Sequence, residues 1–240
     1  MAEVKWTASS QHHDWNDRRA PAAFIDALAE AGLVGAVEGV CGWDEDATRR
    51  TVKLQGPGVG ARVMAEIPKK EKHPFLKAWG STPSPWTLTV GISRFVADEG
   101  RVAGLNTFVF QFDGAAYEDE AGSALLLAAF HAAHSPDTTE FAAIHPLARY
   151  EALQTGEYDS AVTLRPMFAG VFWASFLGKG HVEQFDRAVL ARLPPERVEW
   201  VDGGKGLFVV TTPRLGDATT PAVEAQMLRL TEVFREARRR

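Results

Sequence analysis

The stretch Val171-Phe172-Trp173-Ala174-Ser175-Phe176, continued by His181 to Leu193, by Asp202-Gly203-Gly204-Lys205-Gly206 and by Pro221 to Phe234, decides the fold class. It reads in turn as an apolar strand, an amphipathic helix, a hairpin and a closing helix. Val182, Phe185, Val189 and Leu193 recur at steps of three and four, the spacing that stacks side chains on one helical face. The hairpin arms, Arg197–Val201 and Leu207–Thr211, are rich in β-branched and aromatic residues and flank a glycine-dense turn able to supply positive φ. Pro221 suits a first helical position, and Val223, Met227, Leu230 and Phe234 predict the buried stripe of the last helix.

Working back toward the amino terminus, Trp86, Leu88, Val90 and Ile92 alternate with Thr87, Thr89, Gly91 and Ser93, the period of a half-buried strand. Thr107–Phe112 pairs with it as a hairpin across the polar loop Asp98–Gly104. A helix containing Leu125–Phe130 follows and ends before Pro136, and Glu140–His145 predicts another strand. Earlier still, Pro21 to Gly32 predicts a helix with Phe24, Ile25 and Leu28 on its apolar face. Val34–Trp43, Thr51–Leu54 and Ala61–Ile67 predict strands, separated by Asp44-Glu45-Asp46 and by the glycines at 56, 58 and 60. Phe75, Leu76 and Trp79 suggest a helical turn between a charged connector at 69–74 and a proline-bearing one at 81–85. The segment up to Ala20 reads as a loop or a short edge element. Together these elements predict an α+β fold, antiparallel sheet with helices packed on one side and two loosely similar strand-helix-strand halves. A single domain over 1–240 is expected, with 1–70 and 71–240 as a possible subdivision.

With 45% hydrophobic and 24% charged residues the chain has a globular rather than a disordered composition. A net charge of −5 argues against nucleic acid as the direct partner and suits a basic protein surface. Cys41 is the sole cysteine, so no intramolecular disulfide and no multi-thiolate metal site can form. No run of about 18 apolar residues predicts a membrane span, and the polar amino terminus lacks a signal core, so a cytoplasmic location is expected.

No convincing catalytic set emerges, and no cofactor or metal is expected. His131 and His134, three apart with Asp137 beyond them, could supply metal ligands, but no Glu-x-x-His pattern accompanies them. They equally suit a helix C-terminus, where partly protonated imidazole meets the carbonyl end of the dipole. His12-His13-Asp14 reads as a solvated terminal segment, and Asp44, Glu45 and Asp46, adjacent in sequence, point in different directions. Ser175, His181 and Asp186 suggest a hydrolase, yet the Gly-x-Ser-x-Gly elbow is missing. Gly56-Pro57-Gly58-Val59-Gly60 lacks the Lys-Ser/Thr of a phosphate loop. Two sets remain as interface candidates: the acidic residues Asp113, Glu118, Asp119 and Glu120, which would also stabilise a helix start, and the tryptophans Trp79, Trp86 and Trp173.

The run Gly170 to Leu177, with Leu193-Pro194, Asp202-Gly203-Gly204 and Leu207-Phe208-Val209-Val210-Thr211-Thr212, resembles the C-terminal half of immunity protein family 52. Leu105 to Phe110 and Phe130-His131-Ala132-Ala133-His134-Ser135-Pro136-Asp137 fall where that family has a strand and then a helix ending before Pro-Asp; the resemblance covers about residues 70–237. It implies an antitoxin of polymorphic-toxin and type VI secretion systems, one that binds and silences a cognate secreted toxin, often a nuclease. Alternatives are a metal-dependent or hydrolytic enzyme using His131 and His134, and a secretion-system adaptor.

Overall fold

Val4, Trp6 and Ala8 alternate with Glu3, Lys5, Thr7 and Ser9, and this short alternation forms the middle of the protein. In the computed structural model, which describes residues 3–10, 18–67, 74–92, 106–147 and 171–238, strand β1 (Glu3–Ser10) pairs on one side with β6 (Asn106–Asp113) and on the other with β7 (Phe141–Pro146). The remaining strands are β2 (Val37–Cys41), β3 (Arg50–Leu54), β4 (Phe75–Gly80), β5 (Trp86–Gly91), β8 (Ala174–Leu177), β9 (Val198–Val201) and β10 (Gly206–Val210). They make one antiparallel sheet in the order β3-β2-β4-β5-β6-β1-β7-β8-β10-β9. The opening segment is therefore a central strand and not an edge, and the first 70 residues supply three strands of this sheet. His12, His13 and Asp14, the connector at 69–73 and the loop at 98–104 lie outside the described residues.

The helices are α1 (Arg19–Glu30), α2 (Glu45–Thr48), α3 (Val59–Ala65), α4 (Glu120–Ala133), α5 (Lys179–Val182), α6 (Arg187–Leu190) and α7 (Pro221–Ala237). The expected helix near Pro21, the 86–92 strand, its pairing with 107–112, the hairpin across 202–206 and the closing helix are all present. Asp202, Gly203 and Gly204 take positive φ in that hairpin, the conformation glycine tolerates without strain.

Three further elements differ from expectation. Residues 59–65 form a helix, because Gly58 in the left-handed region turns the chain and Val59 and Val63, four apart, face the core with Met64. The helix packs tightly on α1: the Gly60 amide donates to Asp26 Oδ1 at 2.8 Å, and a Cβ on Gly60 would lie 1.9 Å from the Ala22 carbonyl oxygen. Phe75–Gly80 is a strand, with Leu76, Ala78 and Gly80 buried and Phe75, Lys77 and Trp79 half-buried on the other face. The helix expected over 181–193 is split into α5 and α6. Asp186 divides it, its carboxylate accepting from the Ala188 amide at 2.8 Å while its own amide donates to the Ala237 carbonyl at the end of α7. Asp favours caps over helix interiors for this reason.

One face of the sheet carries the main core. Val40, Ala78, Leu88, Phe110, Trp6 and Ile144 lie in one cross-strand row, and α1, α3 and α4 cover that face with Phe24, Leu28, Val63 and Phe130. Expecting helices on one side only holds for these three. In β8 and β10 both faces are apolar: Phe176 and Phe208 join the main core, whereas Leu177, Leu207 and Val209 form a second one with Leu230 and Phe234 of α7 and with Val182, Phe185 and Leu190. A strand buried on both faces needs cover on both, and α7 supplies it at this end. Farther along, the second face between β4 and β1 stays half-exposed.

Candidate functional site

Strict alternation along β4, β5, β6 and β1 puts polar and aromatic residues on that second face. Trp79, Thr87, Gln111 and Lys5 stand in one cross-strand row, and Asp113 and Glu3 stand opposite each other one pair along β6 and β1. The connection between β2 and β3 folds over the outward side of β4. Its residues meet the outward residues of that strand one by one. Trp43 stacks on Phe75 with centroids 4.3 Å apart, Glu45 pairs with Lys77 at 3.5 Å, and the Arg49 guanidinium lies 4.8 Å from the Trp79 ring centroid. Thr48 braces this connection by accepting from the Gly42 amide at 2.8 Å and donating to the Asp44 carbonyl. Between this wall and β6 lies an open cleft of about 700 Å³, lined by residues that include Trp79, Trp86, Lys77, Arg49, Gln111, Asp113 and Glu3.

The cleft gathers three of the interface candidates. Trp79 forms a wall; Trp86 is 3% exposed and presents only an edge, its indole N–H held by the Thr82 carbonyl at 3.1 Å; Asp113 sits at the rim, accepting from the Ala115 amide at 3.0 Å. Glu118, Asp119 and Glu120 are exposed nearby in sequence but do not line it. Asp119 caps α4 by accepting from the Gly122 amide at 2.7 Å, and Glu120 occupies the first helical turn, the favourable place for a negative charge. Trp173 is a correction: it is fully buried, its indole N–H donates to the Thr212 carbonyl at 2.9 Å, its amide donates to His145 Nδ1 at 3.1 Å, and its carbonyl accepts from the Thr211 amide. Such a residue organises the core and offers no contact surface. Trp43, 71% exposed, is the aromatic that sequence reading passed over. Its position against an acidic turn was the available signal.

The histidines do not converge. His134 is buried, and Trp6 Nε1 donates to its Nε2 at 2.9 Å. Indole only donates, so the ring is neutral with its proton on Nδ1, 3.1 Å from Thr139 Oγ1. Burial, with the neighbouring His131, pushes its pKa down to about 3. Both nitrogens are engaged and no protonated ring faces the helix end, contrary to the dipole reading. His131 stacks on Phe208 at 4.0 Å and reaches toward Glu199 at 3.6 Å; burial lowers its pKa against the opposing pull of that carboxylate. Among the described residues no group of three or more His, Cys, Asp or Glu side chains is placed to hold a metal ion. Ser175, His181 and Asp186 serve separate ends: Ser175 Oγ accepts from the Phe172 amide, His181 Nδ1 lies 3.9 Å from Glu140, and Asp186 caps α6. The glycine-rich 56–60 segment is the turn into α3, with Gly56 and Gly58 at positive φ.

The fold is shared with a protein of known structure. The chain superposes on the Pseudomonas aeruginosa T6SS protein PA0821 with a TM-score of 0.63 and 12% identity, over 96% of this chain and 72% of that one. At this identity the likeness shows the fold. No protein-family model matches the chain and no curated protein matches it, so the resemblance to immunity protein family 52 stands on the motifs quoted above. No helix among the described residues is long and apolar enough to cross a membrane.

Proposed function

We propose that this chain is an immunity protein, an antitoxin that binds a cognate secreted bacterial toxin in the cytoplasm and neutralises it by direct contact, without catalysis. The observation that carries the reading is the fold likeness to a T6SS protein across 96% of the chain, joined to the family-like motifs of the C-terminal half. The half-exposed sheet face supports it. A desolvated aromatic anchor within a polar, charged rim is the usual anatomy of a strong protein interface, which buries about 1,600 Å² in total, and Trp43 and Trp79 supply such anchors. The enzyme reading built on His131 and His134 finds no support in their geometry.

A secretion-system adaptor would share the fold likeness and the binding surface but would not protect cells. The two readings separate in one experiment. A partner eluting one-to-one in a pull-down from native cytosol is expressed alone and with this chain. Restored growth supports the immunity reading, and equal killing in both cultures sinks it.

A further inference from the structure

We infer that the cleft on the open sheet face receives a lysine- or arginine-bearing segment of the partner protein, seated between the Trp79 ring and the Glu3–Asp113 pair. The inference rests on the immunity reading for the class of partner and goes beyond it in naming the surface and the chemistry of its occupant. Four observations meet here. Glu3 and Asp113 are direct cross-strand partners on β1 and β6, an arrangement of like charges that is unfavourable when left alone. Neither forms an ion pair with a described residue, and the cations on the same face have contacts of their own: Lys77 and Arg49 pair with Glu45, and Lys5, two residues from Glu3, is likewise not free. The carboxylates lie on the margin of a cleft of about 700 Å³, which accommodates an extended side chain and the backbone carrying it. On the floor the Thr87 hydroxyl donates to Gln111 Oε1 at 3.4 Å, which leaves the Gln111 amide N–H groups to a bound backbone. A guanidinium or ammonium entering here relieves the carboxylate repulsion and brings its aliphatic stem against the edge of Trp79, whose face Arg49 already covers. The net charge of −5 adds long-range attraction for a basic partner.

The substitutions Glu3→Gln and Asp113→Asn remove both charges while keeping size, and the asparagine oxygen still accepts from the Ala115 amide, so the turn is preserved. Two probes are used. N-acetylarginine amide is titrated at millimolar concentration against the isotope-labelled full chain, with N-acetylglutamine amide as the neutral control. The toxin captured by the wild-type chain is then titrated against wild type, the double variant and Glu196→Gln, a remote control that removes one carboxylate charge beside β9 at the far edge of the sheet. The arginine probe is expected to shift the Trp79 indole and Gln111 amide signals where the glutamine probe does not. The double variant should abolish that preference and weaken toxin binding by at least ~10-fold, the scale for unpairing a buried interfacial charge, with Glu196→Gln unchanged. No cationic preference, an equal preference in the double variant, or undiminished toxin binding by it each overturns the inference. Wild type binding the toxin as tightly as the double variant leaves the immunity reading standing and removes the cleft; an arginine-selective cleft in a chain that binds no toxin does the reverse.

Discussion

Acid should unfold this protein earlier than its surface carboxylates alone would require, and His134 is the reason. The ring is neutral in the folded state, with a pKa near 3, against an ordinary value of 6.5. Above pH 6.5 both folded and unfolded chains hold it neutral and it contributes no pH dependence. Below 6.5 the unfolded chain takes up a proton that the folded chain refuses, so stability falls with pH until the folded pKa is reached. Between pH 7 and 4.5 the difference spans about two pH units, and at 1.36 kcal/mol per unit the loss is about 3 kcal/mol, a large share of a typical folding stability. Urea unfolding measured at half-unit steps from pH 7.5 to 4.5 reads it directly. His134→Gln keeps an acceptor for Trp6 Nε1 and a donor for Thr139, and should flatten the profile over this range even though its packing is poorer. The ring carbon signals of His134 in the folded wild type should stay those of neutral imidazole down to pH 4.5. Titration of that ring between pH 5 and 7 in the folded protein, or an identical stability slope in His134→Gln, would refute the reasoning.

Gly60→Ala should destabilise by ~1–3 kcal/mol in thermal or urea unfolding, because its Cβ would fall 1.9 Å from the Ala22 carbonyl and force α3 away from α1. Trp173→Phe removes the donor to the buried Thr212 carbonyl and should cost ~1–3 kcal/mol while leaving partner affinity intact, since the ring is inaccessible. Asp119→Ala should cost about 1 kcal/mol through the lost cap of α4, with Asp119→Asn restoring most of it.

Elements whose periodicity extended over two or more turns or pleats were legible in the sequence: α1, α4 and α7, the β5–β6 pair and the hairpin at 202–206. Errors arose where tertiary contact overrode a local pattern. Ala61–Ile67 reads as a strand, but the left-handed Gly58 and the close seat of Gly60 on α1 make 59–65 a helix. The stripe from Val182 to Leu193 does face one core, yet Asp186 divides it because α7 supplies a partner for the Asp186 amide. The alternation of Val4, Trp6 and Ala8 runs through a strand as long as β6, but the polar residues that follow it make the segment up to Ala20 read as a loop or short edge element. Only pairing with β6 and β7, more than 100 residues away in sequence, gives it meaning.

The candidate site was half legible. Residue type points to Trp79 and Asp113, and register brings them to one face: Trp79 pairs with Thr87, Thr87 with Gln111, and Asp113 with Glu3, whereas Trp86 pairs with Gly80 and Phe112 on the core face and reaches only the margin of the cleft. Trp173 shared their chemistry but lies at the entry to β8, a strand covered on both faces, so burial took it out of reach. The acidic turn beside Trp43 signals only its exposure; the stacking of Trp43 on Phe75 and the place of Arg49 beside Trp79 depend on the β2–β3 connection folding over β4.

Neutralisation by contact is tested most directly by mixing the purified chain with the toxin it captures, weighing the complex by native mass spectrometry, and measuring growth of toxin-expressing cells with and without the chain. The account predicts a one-to-one complex and restored growth, both lost together when the partner-binding face is altered. Equal killing in the presence of the chain, or protection by a chain that forms no complex, would contradict it.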